Sequence, residues 1–541
     1  MDHRFTITVI QSSLLAIAEE MFAVLKRTAM SPIIYEVLDA GVAITDADGR
    51  LACSGAGIPS FVGVLDKTVK ALIDNTELSS IHPGDVFCTN DPYQGGVTHS
   101  SDVILMVPVF AQNKLIAWTS NIAHWSDIGG ATPGSLPTDA KDIFCEGLRI
   151  PMIKIIQAGN EIESVFSIIQ TNSRLPDMIL GDLWAGIAAA RRGAIRVSEL
   201  VNRYGVDIFQ TAMEDSFYIE ESRVKNALSK LENDTYQLES ILDDGSIHLI
   251  SVTIRDEMLL VDLTKAPDQH DGPYNTSRDS AMIACQMLLK VISTPKSPAN
   301  DGSFRALKVL TRKGSCYDPI APAAQGYYFE VRMSLFDMLL QCLSEGMPNL
   351  FPAGHFASIC GTVISGIHPD HGRRFTMVEP QMGGWGASLG QDGVDAMFSL
   401  THGDTYRCPA EISEARYGID VDRVALNSSP GGDGQWRGGR GLEISYRMRG
   451  TGQLSVGYSR SVVPPWGLAG GGSGSVNFVE LHKVSGDTIR YSSKSGILLD
   501  KGDIIRIRTG SGGGWGSKKL RHQSAIDSDL KDGINVSNEV L

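Results

Sequence analysis

The chain has 541 residues and a formal net charge of −14, from 48 Lys and Arg against 62 Asp and Glu. Apolar residues make up 42% and charged residues 20%, an ordinary globular composition that excludes a disordered chain. The acidic balance argues against non-specific binding to nucleic acid or to an anionic membrane surface.

Taken in chain order, residues 7 to 30 carry Val9, Leu14, Ile17, Met21 and Leu25 at helical spacing, which predicts a long first helix ending near Ser31 and Pro32. The N-terminal stretch runs into Glu19 and Glu20, so an amphipathic helix is expected rather than a signal peptide or a membrane span. GVAITDADGRLAC alternates around Asp48 and Gly49, a hairpin signal. Residues 61 to 77 read as a helix. From Asp85 the text turns strand-rich: VFCTN meets the turn Asn90-Asp91-Pro92-Tyr93, and the apolar strands VILMVPVF and LIAWTSNIA follow. Residues 173 to 243 are expected to be mainly helical. A strand pair comes next (SIHLISVTI and MLLVDLT), then two helices over AMIACQMLLKVI and FEVRMSLFDMLLQCLSEG. After 373 the pattern is short strands with glycine turns, ending in the polar tail IDSDLKDGINVSNEVL.

Helices and strands come in blocks without regular βαβ alternation, so the expected class is α+β. Three regions are expected: 1–172, helical with hairpins; 173–372, helical and mixed; and 373–541, β-rich. Glycine, at 57 residues, concentrates in Gly383–Gly384, Gly431–Gly432, Gly438–Gly439, Gly470 to Gly472 and Gly512 to Gly514, which predicts tight turns and close backbone approaches. Eight cysteines without CxxC spacing suit free thiols in a reducing, cytoplasmic setting.

The segment from Asn90 to Gly130 holds two HxxD pairs, His99/Asp102 and His124/Asp127. The strands between them form a hairpin turning at Ala111 to Lys114. A two-residue loop sets Asp102 opposite Ala123, and a three-residue loop sets it opposite His124. Either register brings both pairs to one end of the hairpin, where facing Cβ atoms lie about 5 Å apart. Two imidazoles and a carboxylate at that range suit Zn²⁺, Mn²⁺ or Fe²⁺ with an open position for water. The competing reading is a set of turn caps or a buried His–Asp hydrogen bond. Asp39, ahead of an apolar strand, offers a fourth ligand from the N-terminal block, with an exposed strand start as the reading its own neighbourhood favours.

GASLG, Gly386 to Gly390, matches the G-x-S-x-G elbow around Ser388, yet turns flank it where a strand and a helix are needed. TGSGGGWGSKK has no glycine–lysine–Ser/Thr at the P-loop offset, and neither GxGxxG nor HExxH occurs.

NDPYQGGVTHSSD, HWSDIGGATPGS, FCEGLRIP, GPYN, PKSPANDGSFRAL, GGWGA, CPAEISE, GGDGQWRGGRG and GDIIRIRTGSGGGWG together resemble the hydantoinase B/oxoprolinase family over nearly the whole chain. That family takes in ATP-dependent hydantoinase B subunits, 5-oxoprolinase C-terminal halves, caprolactamase β subunits and acetone-type carboxylase α subunits. The resemblance implies a metal site of His99, Asp102 and His124, with Asp39 as a further ligand and Asp127 as an outer, catalytic carboxylate. It implies one divalent ion, Zn²⁺ first with Mn²⁺ or Fe²⁺ compatible. It also implies a hetero-oligomer such as α2β2, in which an A/α-type partner uses ATP to phosphorylate a small cyclic amide. Metal-activated water would then open the ring. The alternatives are an ATP-dependent ketone carboxylase subunit and a non-catalytic scaffold. Cys408-Pro409-Ala410-Glu411 departs from the Asn/Thr-Pro-Val-Glu usual in relatives, so the family's substrate contacts are not carried over to that segment.

Overall fold

The computed structural model describes residues 3–403 and 405–534. The described residues form an α+β fold of ten α-helices and twenty strands. The first part comprises α1 (His3–Thr28), α2 (Pro32–Tyr35), β1 (Ala40–Asp46), β2 (Leu51–Gly57), α3 (Pro59–Asn75), β3 (Val86–Thr89), β4 (Asp102–Ala111), β5 (Lys114–His124), β6 (Ile153–Gln157) and β7 (Asn160–Glu161). The strands build one antiparallel sheet of order β2-β1-β5-β4-β3-β6-β7.

Both faces of this sheet are covered, which is why β4 and β5 read as unbroken apolar runs. Ile104 and Met106 pack toward α3, against Val64 and Leu65. Val103, Leu105 and Val107 point the other way, toward α5 (Pro176–Tyr204), which follows α4 (Glu163–Asn172). The α1 stripe Ile10, Leu14, Met21 and Leu25 joins β1, α5 and α6 (Val206–Leu228) in a shared core. By length and composition α1 could cross a membrane, with hydropathy 1.5 over Phe5–Thr28, but here its apolar stripe is buried inside the protein. The helices after residue 172 thus pack on the sheet formed before it.

The expected helical stretch to 243 ends earlier. After α6 the chain forms β8 (Asp234–Ile241), an edge strand pairing with β9 (Ile247–Arg255) in the order β11-β10-β9-β8, where β10 is Met258–Asp262 and β11 is Leu307–Leu310. In β8 only Leu238 is buried, and this polar edge composition is what resembles a solvated helix. The helices α7 (Arg278–Ser293) and α8 (Tyr328–Ser344) share this sheet's core.

The last part is two facing antiparallel sheets around one core. One contains β12 (Gly361–Ile367) and β13 (Arg374–Glu379). The helix α9 (Ala410–Arg416) leads into β14 (Ile419–Leu426) and β15 (Leu442–Met448) of the other sheet. Glycine segments outside the strands lie backbone against backbone: a Cβ on Gly438 would fall 1.9 Å from the Gly512 carbonyl oxygen, and one on Gly384 2.0 Å from that of Gly439. The glycine excess is therefore a packing requirement. The polar tail forms a helix over Gln523–Lys531, and residues 535–541 lie outside the described part.

Candidate metal centre

The hairpin reaches its register by a route that combines the two sequence alternatives. Its loop has two residues, Gln112 and Asn113, both with positive φ (49° and 61°). The first pairs are Ala111 with Lys114 and Phe110 with Leu115. A bulge next to Pro108 then adds one residue on β5, so that Val109 pairs with Ala117 and Asp102 with His124. The bulge re-aims the far end by one position and sets the two side chains face to face.

His99, Asp102 and His124 offer donor atoms that all lie within 4.8 Å of one another, and all three residues are buried. His99 Nε2 is 3.3 Å from Asp102 Oδ2, and the two imidazole centroids are 5.2 Å apart. His99 Nδ1 donates to the Gly326 carbonyl at 3.0 Å. A carbonyl only accepts, so the proton sits on Nδ1 and Nε2 is left as a lone-pair donor facing the cluster. Asp102 Oδ2 accepts from Thr98 Oγ1 and, at 3.0 Å, from the Tyr328 hydroxyl.

Asp102 Oδ1, His124 Nδ1 and Asp39 Oδ1 are buried without a hydrogen-bond partner. Two imidazoles, a carboxylate at their centre, a second carboxylate alongside and unpartnered donor atoms fit a divalent first-row ion. Burial works to raise the Asp102 pKa, but His99 and His124 outweigh it and hold the carboxyl below its usual range. Burial pulls His124 down to about 4.

Asp39 is buried, not an exposed strand start. Its backbone carbonyl accepts from His124 N at 3.0 Å, which ties β1 to the end of β5. Leu38, at φ 65°, holds the left-handed bend that presents it. Upstream, Asp182 of α5 pins the chain by accepting from Met30 N at 2.7 Å and Ser31 N at 3.0 Å. Burial and the charge of Asp102 push Asp39 well above the carboxylate range, with Arg332 opposing. Asp39 stands beside the trio and not within its 4.8 Å grouping.

Several supporting groups escaped the sequence reading. Glu146, in FCEGLRIP, accepts from Gln325 N and Gly326 N at 2.7 and 2.6 Å and so fixes the turn that offers the Gly326 carbonyl to His99. Burial pushes Glu146 up to about 8. Tyr328 and Arg332 come from α8, more than two hundred residues from the hairpin, and His402 from a loop further on. His402 is held down to about 3 by burial and by Arg332. No local motif marks them.

Asp127 stands outside the grouping of His99, Asp102 and His124. It is fully buried, and its carboxylate accepts from Gly129 N and Gly134 N at 3.0 Å each and from Arg174 N at 3.1 Å, with an ion pair to Arg174 Nη1 at 3.1 Å. Those partners make it the closure of the DIGG loop. Ser388 exchanges backbone hydrogen bonds with Gln391 in a tight turn, as its flanking residues predict. Cys408 is buried, and its N–H reaches Glu379 Oε1 at 3.0 Å. Asp337, His355 and Ser399 have the connectivity of a catalytic triad: His355 Nδ1 is 3.1 Å from Asp337 Oδ1, and Nε2 is 2.9 Å from Ser399 Oγ. Ser399 is only 1% exposed, and Asp337 also pairs with Arg460, so the chain joins α8 to the His402 loop.

The chain matches the hydantoinase B/oxoprolinase family over residues 3–518. An uncharacterised protein of Methanocaldococcus jannaschii is 32% identical over 98% of this chain and 93% of its own length. The solved structure of ATP-dependent caprolactamase from Pseudomonas jessenii superposes with a TM-score of 0.90 at 24% identity, covering 98% of this chain and 94% of that one. Nucleotide-free acetone carboxylase superposes at 0.89 and 20% identity, over 99% of this chain and 79% of that one. At those identities the superpositions speak for the fold, while the sequence match is continuous from α1 through the glycine-packed region. The chain is a member of the hydantoinase B/oxoprolinase family.

Proposed function

We propose that this chain is the metal-dependent hydrolytic subunit of an ATP-dependent cyclic-amide hydrolase acting on a lactam, hydantoin or oxoproline-type ring. The observation that carries the reading is the buried cluster of His99, Asp102 and His124, with donor atoms inside 4.8 Å and two of them unpartnered. His99, Asp102, His124 and Asp39 would hold one divalent ion, Zn²⁺ first with Mn²⁺ or Fe²⁺ as alternatives. Such an ion supplies Lewis acidity, lowering the pKa of water toward ~7 and polarising a carbonyl.

The chain's own residues prepare that chemistry. Gly326 and Glu146 fix the His99 tautomer, and Tyr328 and Thr98 orient Asp102. Burial of the cluster keeps bulk water out and strengthens each electrostatic contact. An unactivated amide resists attack because its carbonyl is a weak electrophile. In this reading an A/α-type partner with its own ATP site phosphorylates the amide oxygen, and the activated ring is opened at the cluster. The family description and the name of the caprolactamase structure support an ATP-using partner. Eight unpaired thiols, seven of them buried, support a cytoplasmic setting.

A second reading is a ketone carboxylase subunit, favoured by the superposition on acetone carboxylase. In that case the same Lewis acidity stabilises an enolate. The test is co-purification with the partner and assays of lactam, hydantoin and ketone with ATP, with and without bicarbonate. ATP-coupled ring opening without bicarbonate supports the hydrolase. Turnover of ketone only with bicarbonate replaces it with the carboxylase, and ATP-coupled activity without any bound metal overturns both.

A further inference from the structure

Arg332 is 1% exposed, yet its Nε and Nη1 have no hydrogen-bond partner; its charge acts on Asp39, but no carboxylate among the described residues comes within ion-pair distance of it. A buried, unpaired guanidinium is costly, and proteins retain one where an anion is to be met. Its position says where. The guanidinium carbon lies 5.2 Å from the centre of the Tyr328 ring, and the hydroxyl of that ring donates to Asp102. His402, 3% exposed with Nε2 unpartnered, lies in the same charged neighbourhood as Arg332, Asp102 and His124.

Both groups are fixed from outside the cluster. Arg332 and Asp337 share α8, Asp337 holds His355, and His355 holds Ser399. The Ser399 carbonyl then accepts from His402 N at 2.8 Å. The buried Asp–His–Ser chain therefore sets the spacing between an unpaired cation and an unpaired imidazole beside the metal centre.

We infer that Arg332, assisted by His402, binds the phosphoryl group of the activated substrate and so holds the adjoining carbon at the cluster. Guanidinium matches phosphate oxygens through paired N–H donors, and its charge does not titrate away. This inference rests on the hydrolase reading for the identity of the phosphoryl carrier. The anion site itself stands on the buried guanidinium.

The test uses the full chain with inorganic phosphate as the probe, read by calorimetry and by thermal shift. Wild type is expected to bind phosphate and to gain melting temperature with it. Arg332→Gln should weaken binding by about tenfold or more, the scale of a lost charge-assisted hydrogen bond. Arg332→Lys, which keeps the charge, should retain part of it. Metal content should be unchanged in both. The phosphate-free Arg332→Gln protein should be as stable as wild type or more so, because an unpaired buried charge has been removed, whereas loss of a structural arginine would destabilise it.

Equal phosphate binding by wild type and Arg332→Gln overturns the inference, as does a wild-type Kd above ~10 mM. The two readings fail separately. Arg332-dependent phosphate binding without ATP-coupled turnover of any ring or ketone removes the hydrolase reading and leaves the anion site. Turnover with Arg332-independent binding does the reverse.

Discussion

Loading the metal-free chain with Zn²⁺ at a series of pH values downward from 7 tests whether Asp39 is a ligand through the protons that binding displaces. His124, pulled down to about 4, is already deprotonated, and Asp102, held below the usual carboxylate range, is already charged. Asp39 is pushed well above that range by burial and by the charge of Asp102, so at a pH below its raised pKa it holds a proton in the metal-free protein. Below that pKa, recruiting Asp39 to the ion expels a proton that Asp39→Asn does not have to give. Calorimetric titrations in buffers of different ionisation enthalpy should show wild type releasing more protons than Asp39→Asn, with the difference growing toward about one as the pH falls through the Asp39 pKa. The sign follows: wild-type affinity for the ion rises with pH, with up to about tenfold per pH unit, or about 1.4 kcal/mol, added by Asp39 below its pKa. The Asn variant loses that increment. Equal proton release and equal affinity in the two proteins would show that Asp39 only lines the site.

His99→Ala, Asp102→Ala and His124→Ala should each lose most bound metal by elemental analysis, and any double variant should be no worse than the worst single, because one ion cannot be lost twice. Asp127→Asn should keep its metal but lose about 2 kcal/mol in urea unfolding as the buried charge against Arg174 disappears, with activity down about 10–100-fold if the DIGG loop shapes the site. Gly438→Ala, whose Cβ would meet the Gly512 carbonyl at 1.9 Å, should cost about 3 kcal/mol or more or abolish soluble expression. Ser388→Ala should change stability by less than about 0.5 kcal/mol and leave turnover unchanged. A dead Ser388→Ala enzyme with its metal intact would restore a serine nucleophile.

The N-terminal hairpin was legible because its signals are local. Apolar strands, a turn at Gln112-Asn113 and two HxxD pairs at fixed distances along the chain brought His99, Asp102 and His124 to one end. The bulge beside Pro108 was not legible: it depends on how β5 meets both β1 and β4, a tertiary fit that selects Asp102 opposite His124. The contacts of Asp127 were not legible because HxxD spacing cannot show what else a carboxylate touches, and Arg174 is 47 residues away. The strand β8 was misread because an edge strand with one buried residue has the composition of a solvated helix. Arg332, His402 and Glu146 escaped for the same reason as each other: their partners are contributed by distant segments, and no spacing rule connects them.

The distribution of the parts bears on why the cluster needs the whole chain. The hairpin supplies the three donors, but His99 has its tautomer set by the Gly326 carbonyl, and Asp102 takes a hydrogen bond from Tyr328 at the start of α8. The loop bearing His402 is tied to that helix through Ser399, His355 and Asp337, and Asp337 in turn pairs with Arg460 next to the glycine-packed region. A fragment ending before α8 would keep the ligands and lose what orients them, at the cost of about 10–100-fold in metal affinity that such outer contacts contribute. The cluster is thus oriented by residues of α8 and of the loops around residues 326 and 399–402, not by the hairpin alone.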